Sequence, residues 1–332
     1  MKPIMITGDH KTTAAAIARE IGLMEIGEKA FTGQELDALK DVELDAQLEK
    51  ISVYARVSPE NKIRIVKAWQ KKGKIVAMTG DGVNDAPALK QADIGIAMGS
   101  GTDVAKDAAA MILTDDNFAS IVHAVETGRT VYINIKKAIV YLFTGNLGAI
   151  LAIIFALFAG WNAPFTALQL LFINLINDSL PAIALGLEQS DRKIMESPPR
   201  NPKESLFTKE DYRTIFFRGC IIAAATITAQ YIGGTKELLG ISMAFTTLIF
   251  SRTLQTLPAR SNERTLWDLG IKSNKYVIVA VAICFILYSI VQIPLFKNYF
   301  SIAENFTIKE LGICLLLATI STATMEIRKK LY

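Results

Sequence analysis

One uncharged run, Ala138 to Asn177, constrains the fold of this 332-residue sequence more than any other feature. The run is about twice as long as the roughly 20 apolar residues that cross a lipid bilayer once, so it must cross twice. From Met1 to Lys137, by contrast, charged residues occur every few positions. The sequence therefore predicts a water-exposed first part and a membrane-embedded second part.

Six apolar segments are predicted to span the membrane, and the last of them is the shortest. They are residues 138–159, 166–186, 215–234, 241–258, 277–296 and 309–325. Asn117 is a favourable N-cap, which predicts a helix that continues through residue 137 into the first span. We therefore expect residues 117–137 to form a stalk between a domain at 1–116 and a transmembrane domain at 138–332.

Basic residues are distributed unequally between the two ends of these spans. Thirteen lie on one side: Arg192, Lys193, Arg200, Lys203, Lys209, Arg213, Arg260, Arg264, Lys272, Lys275, Arg328, Lys329 and Lys330. The other side has Lys236, Lys297 and Lys309. Because Lys and Arg concentrate on the cytoplasmic side, the first domain and the C-terminus are predicted to be cytoplasmic. The net charge of +4 then needs no nucleic-acid partner, and the expected partner is the lipid bilayer.

Short β-like runs alternate with helical segments in the first part of the chain. Strands are predicted at residues 3–7, 52–56, 74–79, 93–98 and 110–113, and helices at residues 11–21 and from Pro59. This alternation predicts a parallel sheet covered by helices on both faces. Ligands of such sheets bind at the carboxyl ends of the strands.

A segment rich in glycine and aspartate, Thr79 to Asp85, follows one of these strands. Its glycines allow a tight turn and a close approach of the backbone to a ligand. Asp81 and Asp85 stand four residues apart and provide carboxylates suited to a Mg²⁺ ion that keeps several waters. The segment predicts a magnesium and phosphate site.

Two other features point to phosphate chemistry. Thr7, Gly8 and Asp9 follow the first strand and lead into a helix, whose N-terminus favours an anion. Lys62 lies near the start of the Pro59 helix and can neutralise a phosphoryl oxygen. Each feature alone is as well explained by an ordinary turn or a solvated lysine, but their joint occurrence at strand ends favours a phosphate site.

Three segments resemble the phosphorylation domain of P-type ATPases, which belongs to the haloacid-dehalogenase-like superfamily. They are Met5-Ile-Thr-Gly-Asp-His10, Ala55-Arg-Val-Ser-Pro-Glu-Asn-Lys62 and Met78-Thr-Gly-Asp-Gly-Val-Asn-Asp-Ala-Pro-Ala-Leu89. The resemblance implies a partial α/β domain with a Rossmann-like parallel sheet, followed by an all-α domain of six transmembrane helices. It also implies that Asp81 binds Mg²⁺, that Thr7 and Lys62 contact the phosphoryl group, and that Asn84 and Asp85 support the site.

The sequence departs from the family in one large respect. The family's Asp-Lys-Thr-Gly-Thr motif, with the aspartate that is phosphorylated by ATP, occurs nowhere in this chain. Without that nucleophile the chain cannot form an aspartyl-phosphate. We therefore expect either a fragment or one half of a split pump with a separate N-terminal half. A non-catalytic membrane subunit or a relic of a pump is the alternative.

The second predicted span carries a group of polar side chains. Asn174, Asn177 and Asp178 are spaced i, i+3 and i+4, which places them on one face of a regular helix. A carboxylate within the membrane is costly, so a function is its expected explanation. Pro181 frees backbone carbonyl groups one turn earlier. Asn146 in the first span can add an amide oxygen or serve only in interhelical hydrogen bonding.

Oxygen-only ligands favour a hard cation such as Ca²⁺ over copper or zinc. The stretch Leu170 to Gly186 resembles the corresponding span of type II calcium pumps, which implies that Asn146, Asn174, Asn177 and Asp178 bind the transported ion. The resemblance further implies Ca²⁺ export from the cytoplasm across the plasma membrane, although pumps for Mn²⁺, Na⁺ or H⁺ share much of this framework.

Two positions in the spans depart from the two-ion calcium pumps. Ala149 and Ile249 stand where those pumps carry glutamates, which implies a single ion site. Arg252 lies about six residues from the predicted cytoplasmic end of the fourth span. Two interpretations of Arg252 remain open: its side chain extends to the membrane surface, or its charge fills the region of the missing second ion.

Overall fold

A computed structural model describes residues 1–190, 194–201 and 204–330. The chain divides into two compact units, Met1–Ala124 and Val125–Tyr332. Arg192, Lys193 and Lys203, three of the basic residues used to predict the orientation, lie outside the described residues.

Six short strands form two parallel sheets in the described part of the first unit. They are β1 (Met5–Thr7), β2 (Lys29–Thr32), β3 (Ile51–Ala55), β4 (Ala77–Gly80), β5 (Ile94–Met98) and β6 (Met111–Leu113). The strand orders are β1-β3-β2 and β4-β5-β6, with Thr7 opposite Ala55 and Gly80 opposite Ala97. The strands are parallel as predicted, but they form two sheets, because β1 and β4 are edge strands that do not pair with each other.

Helices connect these strands. They are α1 (Lys11–Glu20), α2 (Gly33–Asp37), α3 (Asp41–Gln47), α4 (Pro59–Lys71), α5 (Ala86–Gln91) and α6 (Asp103–Ala108). The hydroxyl of Ser58 accepts a hydrogen bond from the backbone of Asn61 and caps α4, whose first residue is a proline. Neither β2 nor the two short helices after it were predicted, because these segments are only four to seven residues long.

Ile6 and Val76 connect the cores of the two sheets. Ile6 of β1 packs against the cluster that contains Tyr54 of β3 and Trp69 of α4. It also packs against the cluster that contains Met78 of β4 and Leu89 of α5. The two sheets therefore share apolar packing although, among the described residues, no backbone pairing joins β1 to β4.

The second unit is helical. Its helices are α7 (Ala119–Phe158, which begins in the first unit), α8 (Ala167–Phe172), α9 (Ser179–Gly186), α10 (Lys209–Gly233), α11 (Leu238–Ala259), α12 (Leu266–Leu269), α13 (Lys275–Val291), α14 (Pro294–Lys297) and α15 (Ile308–Lys329). The side-chain oxygen of Asn117 accepts a hydrogen bond from the backbone of Ala119, at the start of the 40-residue α7. At about 1.5 Å per residue, α7 is roughly 60 Å long.

Four of the six predicted spans each fall on one helix, whereas residues 166–186 cover α8, a π-helical turn and α9, and residues 277–296 extend from α13 into α14. Among the described residues, four helices are long and apolar enough to cross a membrane: Ala119–Phe158, Ala167–Gly186, Lys209–Gly233 and Ile308–Lys329. The fifth predicted span corresponds to the shorter apolar helix α13. The fourth corresponds to α11, which is 22 residues long and mostly buried against α10 and α15. Polar side chains lower the hydropathy of α11.

Candidate functional site

Asp85 organises the turn between β4 and α5. Its Oδ2 atom accepts hydrogen bonds from the backbone N–H groups of Asp81 and Gly82, at 3.2 and 3.1 Å. A Cβ atom at Gly80 would lie 2.5 Å from the Cβ of Asp85, so the turn requires a glycine there. The Gly-Asp-Gly pattern therefore allows the chain to form a compact loop around Asp85 at the carboxyl end of β4.

Lys62 of α4 completes the surroundings of Asp85. Its Nζ atom lies 2.5 Å from the other carboxylate oxygen, Oδ1, and the two side chains are 19% and 10% exposed. Burial raises the pKa of Asp85, but the hydrogen bonds from Lys62 and Gly82 outweigh it and hold that pKa below its ordinary value. Asp85 is therefore ionised at neutral pH and fixes the position of the ammonium group.

The loop after β1 is held by its own side chains. The hydroxyl of Thr7 donates to the carboxylate of Asp9 at 3.0 Å and accepts from the Asp9 backbone at 3.1 Å. Gly8 and Asp9 are exposed, and Thr7 is half-buried. In the described chain, no hydrogen bond or ion pair joins this loop to Lys62 or Asp85, so the structure orders two loops separately.

The two predicted Mg²⁺ ligands have different surroundings. Both oxygens of Asp85 already accept hydrogen bonds, whereas the exposed carboxylate of Asp81 accepts none from any described residue. Asn84 is also exposed. The described residues contain no group of three or more His, Cys, Asp or Glu side chains placed to hold a metal. This donor set fits Mg²⁺, which takes one or two carboxylates and fills its other positions with water and phosphate oxygens.

A π-helical turn precedes Asp178 in the second unit. Residues Ile173–Asn177 form this turn between α8 and α9, and the backbone N–H of Asp178 donates to the carbonyl of Ile173 at 2.9 Å. Such turns often occur at functional sites, because the wider spacing of their hydrogen bonds releases backbone groups. The sequence predicted free backbone carbonyl groups one turn before Pro181, and the π-helical turn ends at Asn177, four residues before that proline.

The π-helical turn changes which polar residues meet. Asn177 and Asp178 are each 1% exposed, whereas Asn174 is exposed in this chain. A spacing of three and four residues aligns side chains in an α-helix, but a turn with i→i+5 bonds has more residues per turn and spreads them around the axis. The structure therefore brings Asn177 together with Asp178 but does not bring Asn174 to them.

Arg252 of α11 occupies the position beside Asp178. Its Nη2 atom donates to the carboxylate of Asp178 and, at 3.0 Å, to the side-chain oxygen of Asn146 of α7. The side chains of Arg252 and Asp178 are each 1% exposed. The guanidinium of Arg252 therefore faces Asn146 of α7 and Asp178, the residue between the π-helical turn and α9, and does not extend to a surface of the described chain.

Two further residues reach this group from neighbouring helices. The hydroxyl of Tyr141 donates at 3.5 Å to Oδ1 of Asp178, which also accepts from the amide of Asn177, and the hydroxyl of Thr253 donates to the side-chain oxygen of Asn177 at 3.2 Å. Neither residue was predicted. Two features of the sequence could have indicated them: Tyr141 is a hydroxyl-bearing residue within the uncharged run, and Thr253 directly follows Arg252.

A second buried ion pair lies outside the predicted spans. Glu188 accepts two hydrogen bonds from Arg260, at 2.9 and 2.8 Å, and one from Asn274 at 2.8 Å. Burial raises the pKa of Glu188, but the bonds from Arg260 and Asn274 outweigh it and lower that pKa overall. This pair was not predicted from the sequence, because its partners are 72 residues apart.

Both parts of the chain match known protein families. Residues 162–331 match the family described as cation transporting ATPase, C-terminus. Residues 1–93 and 62–125 match two families described as haloacid dehalogenase-like hydrolases. The first unit therefore has the predicted haloacid-dehalogenase-like fold, and it is followed by an integral, multi-pass helical region.

Curated relatives cover nearly the whole chain. The chain is 62% identical over 330 residues to Calcium-transporting ATPase lmo0841 of Listeria monocytogenes, and 61% identical over 332 residues to Calcium-transporting ATPase 1 of Lactococcus lactis. It is 40% identical over 281 residues, 83% of the chain, to human Calcium-transporting ATPase type 2C member 1. These alignments cover 99% and 100% of this chain for the bacterial relatives, but only 38% of each bacterial relative and 31% of the human one. Since the cation-transporting ATPase match extends over about half of its length, the chain belongs to the cation-transporting ATPases, whose C-terminal region it carries.

Proposed function

We propose that the chain is the C-terminal part of an ATP-driven P-type pump that exports Ca²⁺ from the cytoplasm through one ion site. One observation carries this proposal: a buried carboxylate, Asp178, lies in a membrane-capable helix, accepts a hydrogen bond from the side-chain amide of Asn177, and shares the Nη2 donor of Arg252 with the side-chain oxygen of Asn146. Oxygen donors of this kind suit a hard divalent cation. The curated relatives of this chain are named calcium-transporting ATPases, which supports the same ion.

The single-ion stoichiometry rests on two apolar residues. Ala149 and Ile249 are 5% and 1% exposed and belong to one hydrophobic cluster, so neither position offers an oxygen ligand. Arg252 supplies a fixed positive charge next to Asp178 while no cation is bound there. We infer that Asn174 becomes a ligand when other helices of the pump cover its exposed position.

The first unit handles phosphate in this proposal. Asp81 holds Mg²⁺, which offsets the charge of the phosphoryl group, while Thr7 and Lys62 contact phosphoryl oxygens. Asp85 orients Lys62 and the loop, and Gly8, Asp9 and Asn84 shape the rest of the site. The acceptor aspartate and the site for ATP come from the remaining part of the pump.

The two sheets indicate where that remaining part binds. Their edge strands β1 and β4 each end in a Gly-Asp loop, and Ile6 packs against both cores. One further parallel strand between β1 and β4 would join the sheets into one. Its carboxyl end would then lie beside Thr7 and Asp81. We propose that the strand with the acceptor aspartate takes this place.

The proposed orientation follows the distribution of basic residues, and the proposed location follows the resemblance to calcium-exporting pumps. The first unit and the C-terminus are cytoplasmic, the membrane is the plasma membrane, and α7 transmits motion from the first unit to the ion site. The second candidate function is a non-catalytic membrane subunit that binds ions without turnover.

Phosphorylation by radiolabelled ATP tests the proposal. The 332-residue chain alone should insert in membranes and form no acid-stable phosphoprotein. Coexpressed with the N-terminal part of a close relative, it should restore a Ca²⁺-dependent phosphoprotein and ATP-driven ⁴⁵Ca²⁺ uptake into inverted vesicles. Labelling of this chain alone would refute the missing-nucleophile argument, and an assembled but inactive complex would favour the non-catalytic subunit.

A further inference from the structure

The segment that connects β5 to α6, Gly99-Ser-Gly-Thr102, has the composition of a phosphate-binding loop. Such loops bind an anion through backbone N–H groups that have no other partner. In this segment all four N–H groups are already bonded: Gly99 donates to the carbonyl of Leu113 at 2.8 Å, Ser100 to the carboxylate of Asp116 at 3.1 Å, Gly101 to the carbonyl of Met98 at 3.0 Å, and Thr102 to the carbonyl of Asp81 at 2.8 Å. The Gly99–Thr102 loop therefore connects neighbouring parts of the first unit, and its N–H groups are not available to an anion.

The last of these bonds fixes the backbone of Asp81. The carbonyl of Asp81 accepts from Thr102, and the N–H of Asp81 donates to Asp85 at 3.2 Å, so both backbone groups of this residue are bonded. Gly101 packs against the same carbonyl, because a Cβ atom at Gly101 would lie 2.9 Å from its oxygen. The Gly99–Thr102 loop therefore holds the main chain of Asp81 in place and leaves its exposed carboxylate available.

Asp116 holds the other side of the Gly99–Thr102 loop. The hydrogen bond from the backbone of Ser100 keeps the pKa of Asp116 below its ordinary value, so its carboxylate is ionised at neutral pH. Asp116 lies in the turn between β6 and α7 with a φ of +50°, a conformation that is unfavourable for residues other than glycine. Glycine adopts this backbone freely. The turn itself therefore does not require a carboxylate at this position, whereas the contact with Ser100 uses one.

We propose that Asp116 is a positioning residue for Asp81 and acts through the Gly99–Thr102 loop. Its carboxylate fixes Ser100, and Thr102, two residues further on, fixes the carbonyl of Asp81. A carboxylate that is placed in advance binds a divalent ion more tightly than one that becomes ordered on binding, because less conformational entropy is lost. The contacts of the loop do not depend on the proposed function, whereas their effect on Mg²⁺ rests on the role proposed for Asp81.

Amide hydrogen exchange of the solubilised 332-residue chain, resolved to single residues, tests this connection. Asp116→Gly keeps the backbone of the turn and removes the acceptor for Ser100, whereas Asp116→Asn retains an oxygen acceptor and is the matched control. Asp116→Gly should speed exchange at both Ser100 and Thr102 about three- to tenfold, the range expected for the loss of one hydrogen bond. Asp116→Asn should leave both rates nearly unchanged, and unchanged exchange in β3 shows that each variant is folded. Faster exchange at residue 100 alone would overturn the proposal.

A second pair of variants acts at the other end of the loop and decides if Asp116→Gly does not fold. Thr102 has a φ of −66°, which proline also adopts. Thr102→Pro removes the N–H that binds Asp81, whereas Thr102→Ala removes only the hydroxyl that caps α6. Thr102→Pro should speed exchange at Gly82, whose N–H shares a peptide plane with the carbonyl of Asp81, and Thr102→Ala should not. Equal rates at Gly82 in the two variants would show that the loop does not hold Asp81.

The Mg²⁺ dependence of phosphoprotein formation in the assembled pump tests the effect on Asp81. Asp116→Gly should raise the Mg²⁺ concentration for half-maximal phosphorylation about three- to tenfold, yet reach the unmodified maximum at saturating Mg²⁺, and Asp116→Asn should behave like the unmodified chain. A lower maximum with an unchanged Mg²⁺ dependence would show a merely structural role and refute the positioning of Asp81. If Asp81→Asn also phosphorylates normally, the proposed metal site is wrong instead, and the exchange rates still decide whether Asp116 holds the loop.

Discussion

Arg252 and Asp178 form an ion pair in which each side chain is only 1% exposed. The pair joins α11 to the polar segment between the π-helical turn and α9. Because Arg252 also donates to Asn146 of α7, one guanidinium connects three helices. Any cation that binds Asp178 must therefore compete with a positive charge that belongs to the chain itself.

The effects of substituting Arg252 and Asp178 on the free energy of unfolding should be strongly coupled. Asp178→Asn leaves the buried charge of Arg252 uncompensated, and Arg252→Met does the same to Asp178, so each change should cost about 3–5 kcal/mol. The double variant contains no unpaired charge and should be considerably more stable than the sum of the two losses predicts. Thermal unfolding of the solubilised protein, followed by fluorescence-detected size-exclusion chromatography, measures all three.

An exposed ion pair of the same chain provides the control. Arg200 and Glu204 are 39% and 50% exposed, so the corresponding cycle should show a coupling of no more than about 1 kcal/mol. Additive losses for Arg252 and Asp178 would mean that the two charges are satisfied independently of each other.

Asp178 should also be essential for ion binding in the assembled pump. Asp178→Asn removes the only carboxylate that the described residues offer to the candidate ion site and should abolish high-affinity ⁴⁵Ca²⁺ binding at equilibrium. Unchanged protein should bind one Ca²⁺ per phosphorylation site, with a Hill coefficient near one, because cooperativity needs coupled sites. Two bound ions per site would contradict the role assigned to Ala149 and Ile249, and normal binding by the variant would exclude Asp178.

The sequence predicted local features better than it predicted contacts. The loop at Thr7 and the turn at Asp81 follow from glycines and short polar side chains after apolar strands, which act over a few residues. The contact between Lys62 and Asp85 joins positions 23 residues apart, and only the packing of α4 against α5 establishes it. No periodicity in the sequence indicates that distance.

The second unit shows the same limit. Regular helical spacing put Asn174 on the same face as Asp178, and the π-helical turn separates them. For Arg252, the sequence allowed both an extended side chain and a buried charge. Which of the two occurs depends on the neighbouring helices, because a buried carboxylate partner must offset the desolvation cost of a buried guanidinium.

Asp81→Asn should abolish Mg²⁺-dependent phosphoprotein formation in the assembled pump while membrane insertion is retained. The change removes a formal charge from the loop that is proposed to hold the metal, yet it leaves the backbone bond from residue 81 to Asp85 possible. Asp107→Asn is the matched control, because Asp107 is an exposed aspartate on α6 of the same unit. Phosphorylation of the Asp81 variant at the unmodified rate would assign the metal to another residue.

The Lys62–Asp85 ion pair should make the stability of the first unit depend on pH. The pKa of Asp85 is held below its ordinary value of 3.8, so the pair contributes fully above that pH. Its contribution is lost as the pH falls through the lowered pKa, where the carboxylate becomes protonated. Lys62→Met removes the strongest favourable partner, so the pKa of Asp85 should rise and the variant should unfold at a higher pH than the unmodified chain.

Acid unfolding of the solubilised chain measures this difference. Trp69 of α4 reports on the first unit when Trp161 and Trp267 are replaced by phenylalanine. The gap in free energy of unfolding between the unmodified chain and Lys62→Met should be largest near neutral pH and should close in acid, because protonated Asp85 gains nothing from Lys62. Lys67→Met, at an exposed lysine of the same helix, should leave the acid transition unchanged. If both variants shift it equally, the effect comes from the net charge of α4 and not from the contact with Asp85.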